Sequence, residues 1–227
     1  MGQKLPSGNF FICNKMLKSC CELGSEIHKD RVIHKTDNFF VISTLGSIGI
    51  EGYLLIISKE HYEGVGDVPE ELYPELNDLA SNVQRVLQEQ YGKLPFIFEH
   101  GPRVCGIRGG GCLDHAHLHI VPGVDVTSKW AGDMMKRLES AKQFYRVDRI
   151  EGFDRVGDIY RGGKSSYVFV ESPQGVRYVS EVNFQIPSQY FRRMIAEQVG
   201  SGRWNWRLHP DEETAKRTVE KLRGKFN

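Results

Sequence analysis

The sequence contains no stretch that reaches the roughly 18 consecutive apolar residues of a membrane span. It is also nearly without net charge, at +1 over 227 residues, so the whole-chain field points to neither a nucleic-acid nor a membrane partner. Cysteine is sparse. Cys13, Cys20, Cys21, Cys105 and Cys112 are odd in number and irregular in spacing, which excludes a disulfide framework as the organising principle. Residues 1–21 mix lysines with apolar residues and lack the clean apolar segment of a secretory signal or anchor. A reducing, cytoplasmic location with no membrane association is the resulting expectation. Internal repeats and low-complexity tracts are absent too, which argues against a solenoid or a disordered chain.

What is present suits a globular fold. Hydrophobic residues make up 40% and charged residues 26%, in a chain long enough to bury a sizeable core. Segments 31–35 and 39–45 read as strands around an Asp37-Asn38 turn, and the apolar run 52–58 reads as a third, giving an antiparallel meander. Leu72, Leu76, Leu79, Val83, Leu87 and Tyr91 recur at helical spacing. Asp67, Pro69, Glu70 and Glu71 supply start signals for that helix and Gly92 its stop. Segments 94–99 and 116–122 read as further strands, separated by a glycine-rich loop over 101–111.

The character changes after Gly123. Residues 130–145 read as a helix, and 166–171 with 176–180 as a hairpin around Ser172-Pro173-Gln174-Gly175. Helices over 190–199, closed by Gly200, and from Pro210 to the basic end at Lys221, Arg223 and Lys225 complete the pass. The expected class is α+β: an antiparallel sheet with one long helix over 1–125, and a helix-and-hairpin extension over 126–227 packed on it.

Chemistry concentrates at His115, His117 and His119. Residues two apart on a strand share a face at about 6.5–7 Å, so the three imidazoles are expected in a row, with Ala116, Leu118, Ile120 and Val121 free to pack on a core. Eight histidines in the whole chain make this clustering a poor accident. By itself the row leaves a metal site open, because His-x-His on a strand is also a good ligand pair. The preceding loop shifts the balance to phosphate. In Gly106-Ile-Arg-Gly109-Gly110-Gly111, glycines allow backbone amides to approach an anion, and Arg108 can add a charge-assisted hydrogen bond.

Three segments in order resemble the histidine triad (HIT) superfamily: EGYLLIISKEH at 51–61, FEHG at 98–101 and DHAHLHIVP at 114–122. The resemblance implies a HIT-like fold for the first half and a nucleotide substrate. It implies that His117 attacks the α-phosphorus to form a covalent nucleotidyl-histidine, with a backbone carbonyl holding the proton on its other nitrogen. His119 would contact phosphate oxygens, and His115 the phosphate or leaving group. Tyr53, Glu99, His100, Gly101, Arg108, Gly110, Gly111 and Cys112 would line the nucleotide site. Two positions depart from the pattern: Tyr53 replaces a histidine, and Cys112 replaces a serine or threonine and is a weaker donor. Zinc-containing members use an N-terminal Cys-x-x-Cys, the histidine matched by His61 and the first triad histidine, matched by His115. Cys13, Cys20 and Cys21 form no Cys-x-x-Cys, so zinc is left open but not required. A homodimer is compatible, since smaller relatives pair through their sheets.

The implied activity is hydrolysis at a nucleotide α-phosphate in a dinucleoside polyphosphate, a phosphoramidate or an adenylylated compound. Transfer to phosphate or a sugar phosphate is the enzymatic alternative. The other readings are a nucleic-acid-associated HIT-like protein and a nucleotide-binding regulator. From Ser188 onward nine Lys/Arg face five acids, a net of +4, but no zinc finger or RNA-binding motif accompanies them, so nucleic acid is not the expected partner. The segments 189–196 and 204–207 resemble the C-terminal part of longer HIT-like proteins, and no chemistry follows from their residues alone.

Overall fold

The fold is that of a computed structural model, which describes residues 30–101, 115–141, 147–162, 166–182 and 186–226. Eight strands form one sheet: β1 Val32–Lys35, β2 Phe39–Ser43, β3 Leu54–Ser58, β4 Pro95–Gly101, β5 His117–Pro122, β6 Val147–Ile150, β7 Ser166–Glu171 and β8 Arg177–Val182. Their spatial order is β1-β2-β3-β5-β4-β7-β8-β6, and the pairings are antiparallel throughout. The sheet runs through residue 125 without interruption, because β7 pairs with β4 from Ile97↔Glu171 to Gly101↔Tyr167.

Among the described residues five α-helices cover it: α1 Tyr73–Tyr91, α2 Thr127–Ala141, α3 Asp154–Gly162, α4 Tyr190–Gln198 and α5 Glu212–Leu222. The acidic signals at 67–71 are spent on two 3-10 turns, Val65–Asp67 and Glu70–Leu72, and the helix proper begins one residue before Pro74. Gly92 ends α1 in the left-handed region at φ 65°, its N–H bonded to Gln88 O. Asp211 caps α5 by accepting from Thr214 N at 3.1 Å.

Strand alternation sorts the side chains into two cores, one on each face of the sheet. Leu54, Ile56, Ile97, Leu118 and Ile120 face α1, α3 and α5. Tyr53, Leu55, Phe96, Phe98 and Val121 face α2 and α4, against Trp130, Tyr190, Phe191 and Ile195. The odd-numbered histidines of β5 therefore point to the second face, beneath α4.

Two elements escaped the sequence pattern, β6 and α3. The strand Val147–Ile150 is a four-residue edge with two charges, and the helix Asp154–Gly162 has glycine in its interior and only one buried stripe, Val156, Gly157 and Ile159. Both are short segments that neighbours stabilise and local propensity does not.

Candidate active site

His117 and His119 sit on β5 opposite Ile57 and Leu55 of β3, with only 6% and 7% of their surfaces exposed. Their rings lie 4.8 Å apart and their Nε2 atoms 3.1 Å apart. The other nitrogens are anchored at both ends. His117 Nδ1 is 2.6 Å from the carbonyl oxygen of His115, and His119 Nδ1 is 2.9 Å from the Tyr53 hydroxyl. Arg192 Nη1 in turn donates to the Tyr53 oxygen at 3.3 Å. Phe98 stacks on His119 at 4.4 Å and 8°, which fixes the ring plane.

These contacts determine where each proton lies. A carbonyl only accepts, so His117 carries its proton on Nδ1. Its Nε2 is then bare, so the contact with His119 Nε2 requires a proton there, which leaves His119 Nδ1 to accept the Tyr53 O–H while the Tyr53 oxygen accepts from Arg192. His119 then holds its proton on Nε2 and donates to His117 Nε2, which is bare. Burial lowers the pKa of His117 below the usual histidine value and that of His119 well below it, and the nearby Arg192 charge acts in the same direction. Both rings are neutral at neutral pH, as the directional chain requires.

His115 precedes the first residue of β5 and does not continue the row. Its Nε2 donates to Ser58 O at 2.8 Å, with Ser58 Oγ at 3.1 Å, and its Nδ1 accepts from His61 Nδ1 at 3.1 Å. Burial is the main reason its pKa falls to about 4. Strand alternation fails here because the residue lies outside the strand. His61 and His115 supply two nitrogens where a tetrahedral zinc needs four ligands, and no group of three or more candidate ligands occurs among the described residues. The cysteines that could add further ligands lie outside the described residues.

Glu99 and His100 take opposite sides of β4. His100 lies among Phe98 and Phe191 on the triad face, and burial, followed by the neighbouring His117, lowers its pKa to about 3. Glu99 turns to the other face. The β4–β5 ladder ends at Phe98↔His119, and the N–H of His117 goes to the Glu99 carboxyl. That carboxyl also accepts from Val65 N at 2.7 Å and Tyr167 OH at 2.6 Å. Complete burial raises its pKa to about 7, against the lowering effect of those three donors. Gly101 is required by close approach: a Cβ there would stand 2.0 Å from Cζ of Tyr167.

Arg108, Gly110, Gly111 and Cys112 lie outside the described residues, as do Cys13, Cys20, Cys21 and Cys105. Ser58, Phe98, Phe191, Gln189, Gly46 and Arg192 belong to the site's surroundings and were not expected there. Phe98 was visible as a member of the FEHG segment. The C-terminal residues carry no local signal, because only the packing of α4 on the sheet brings them to the triad.

Residues 25–126 match the family model described as HIT domain. No curated protein matches the chain. Several solved structures are similar to part of it. A hypothetical histidine triad nucleotide-binding protein of Sulfolobus tokodaii strain 7 is 20% identical, with 46% of this chain and 67% of that one covered, at TM-score 0.37. A HIT family hydrolase from Clostridium thermocellum is 22% identical, with 48% and 95% covered, at TM-score 0.35. The diadenosine triphosphate hydrolase of Plasmodium falciparum is 14% identical, with 60% and 88% covered, at TM-score 0.38.

Proposed function

We propose that this chain, whose residues 25–126 match the HIT domain model, is a histidine triad protein that hydrolyses a nucleotide at its α-phosphate by way of a covalent nucleotidyl-histidine at His117. The observation that carries this reading is the 2.6 Å contact of His117 Nδ1 with His115 O, which leaves Nε2 bare. A neutral imidazole with its proton held on Nδ1 by His115 O presents one lone pair, and that lone pair is the nucleophile.

The steps balance as two displacements. His117 Nε2 forms a bond to the α-phosphorus while the bond to the leaving group breaks and its electron pair departs with that group. His119 swings its Nε2–H from His117 to a non-bridging phosphate oxygen, where charge develops. Water then attacks phosphorus and the P–N bond breaks with its electron pair returning to His117 Nε2; one water proton stays on the nucleoside monophosphate that leaves and the other passes to solvent. His117 returns with its Nε2 bare. Tyr53 keeps His119 in the donating tautomer throughout, because its O–H occupies Nδ1. The hydrogen-bonded His61–His115 pair orients the turn that presents the His115 carbonyl, and on this reading no metal is required.

The test is incubation with dinucleoside polyphosphates, adenosine phosphoramidate and adenylylated DNA, read by product chromatography. At least one is expected to release a nucleoside monophosphate, and His117→Ala is expected to bind nucleotide without turnover. Turnover retained in His117→Ala overturns the assignment of the nucleophile.

A further inference from the structure

Among the described residues, Arg192 is a buried cation without a counter-ion. Its side chain is 2% exposed, and no carboxylate lies within ion-pair distance among the described residues. Its hydrogen-bond partners are neutral: Gln189 Oε1 at 3.1 Å and Trp204 O at 2.9 Å on Nε, and the Tyr53 hydroxyl on Nη1. Its Nη2 has no partner among the described residues, and neither has Nε2 of His100 on the same face. Withdrawing a charge from water is costly unless an opposite charge meets it, and a guanidinium left this way is a standing demand for an anion.

The surroundings hold the guanidinium against the triad. Gly46 makes room for it, since a Cβ at that position would come within 2.4 Å of Nη2 and 2.5 Å of Trp206 Cβ. Gln189 holds the left-handed conformation at φ 60° while its side-chain oxygen accepts from Arg192. A strained residue, an absent side chain and two neutral acceptors thus aim one cation at Tyr53 and His119.

We propose that Arg192, contributed by α4 from beyond the HIT domain, is a phosphate-binding residue of the triad site and neutralises an oxyanion of the nucleotide substrate. The planar guanidinium offers paired donors suited to phosphoryl oxygens, and a low-dielectric setting strengthens that pairing. The proposal rests on the hydrolase reading for its substrate but not for its test, because anion binding can be measured without turnover.

The experiment titrates inorganic phosphate and adenosine monophosphate into the full chain by calorimetry. Arg192→Gln and Arg192→Lys are compared with Arg193→Gln, whose wild-type guanidinium is exposed and lies 4.0 Å over the Trp204 ring. The wild type and Arg193→Gln are expected to bind both probes alike. Arg192→Gln is expected to weaken binding at least tenfold, and Arg192→Lys, which keeps the cation but loses the paired donors, to weaken it by a similar factor. Should Arg192→Gln fail to fold, Arg192→Lys decides the matter. Unchanged affinity in a folded Arg192 variant, or no phosphate binding by the wild type, overturns the proposal. Binding lost in the Arg192 variants of a protein that turns over no nucleotide would sustain it while the hydrolase reading falls.

Discussion

Tyr53→Phe tests the directional chain at its middle link. The substitution keeps the ring, which is 1% exposed, and removes only the hydroxyl between His119 Nδ1 and Arg192 Nη1. Two buried polar groups lose a partner at once. Each such group costs about 1–3 kcal/mol, so the variant is expected to lose about 2–6 kcal/mol of stability. For a chain of this length that corresponds to a Tm about 4–24 °C lower by differential scanning calorimetry. The second consequence is chemical. Without the hydroxyl, His119 is free to carry its proton on Nδ1, and its Nε2 then no longer donates to phosphate. A penalty of about 1.4–3 kcal/mol on the productive tautomer lowers kcat/KM about tenfold to a hundredfold. The assay is product release measured alongside Tm in the same preparation. A Tm within 2 °C of wild type together with undiminished kcat/KM would refute the proton assignment.

Other outcomes follow from the same contacts. Gly46→Ala places a Cβ against Arg192 and Trp206, so it is expected to lose about 1–3 kcal/mol and, in denaturant titrations, to fall short of an exposed control such as Gly202→Ala. Gly101→Ala drives a methyl group into the Tyr167 ring and forces β4 from β7; a loss of about 3 kcal/mol or more is expected, and a wild-type Tm would contradict the packing. Acidification should destabilise the fold. His100 and His115, held to about 3 and 4, bind protons more weakly in the folded chain than the unfolded value of about 6.5 allows, so stability falls as pH drops from 6.5 toward 4. Glu99 opposes this with a pKa raised to about 7: its contribution is full below about 4.5 and is lost as pH rises through 7. Two histidines outweigh one carboxyl between pH 6.5 and 4.5, so Tm should decline there, more steeply in Glu99→Gln; a Tm that rises on acidification would be contrary to this balance. Metal analysis of purified protein is expected to find no stoichiometric zinc, and one zinc per chain would return His61 and His115 to the role of ligands.

The sequence determined the site's centre by itself. Alternation along a strand is a local property, so the placement of His117 and His119 on one face, with Leu118 and Ile120 on the other, could be read from the residue order. The long helix was legible for the same reason, since seven of its residues are buried at helical spacing and Gly92 closes it. His115 departed from the row because the strand begins two residues later, and β6 and α3 were missed because their partners stabilise them. The HIT domain match ends at residue 126, and nothing in the order of residues 189–206 indicated a role. Tertiary structure alone decided that α4 lies over the triad, that Tyr53 donates a hydrogen bond to His119, and that the buried charge of Arg192 stands behind Tyr53. Those contacts join residues 66 and 139 positions apart in the chain. Periodicity reports which face a residue occupies, but only packing reports which distant residue meets it there.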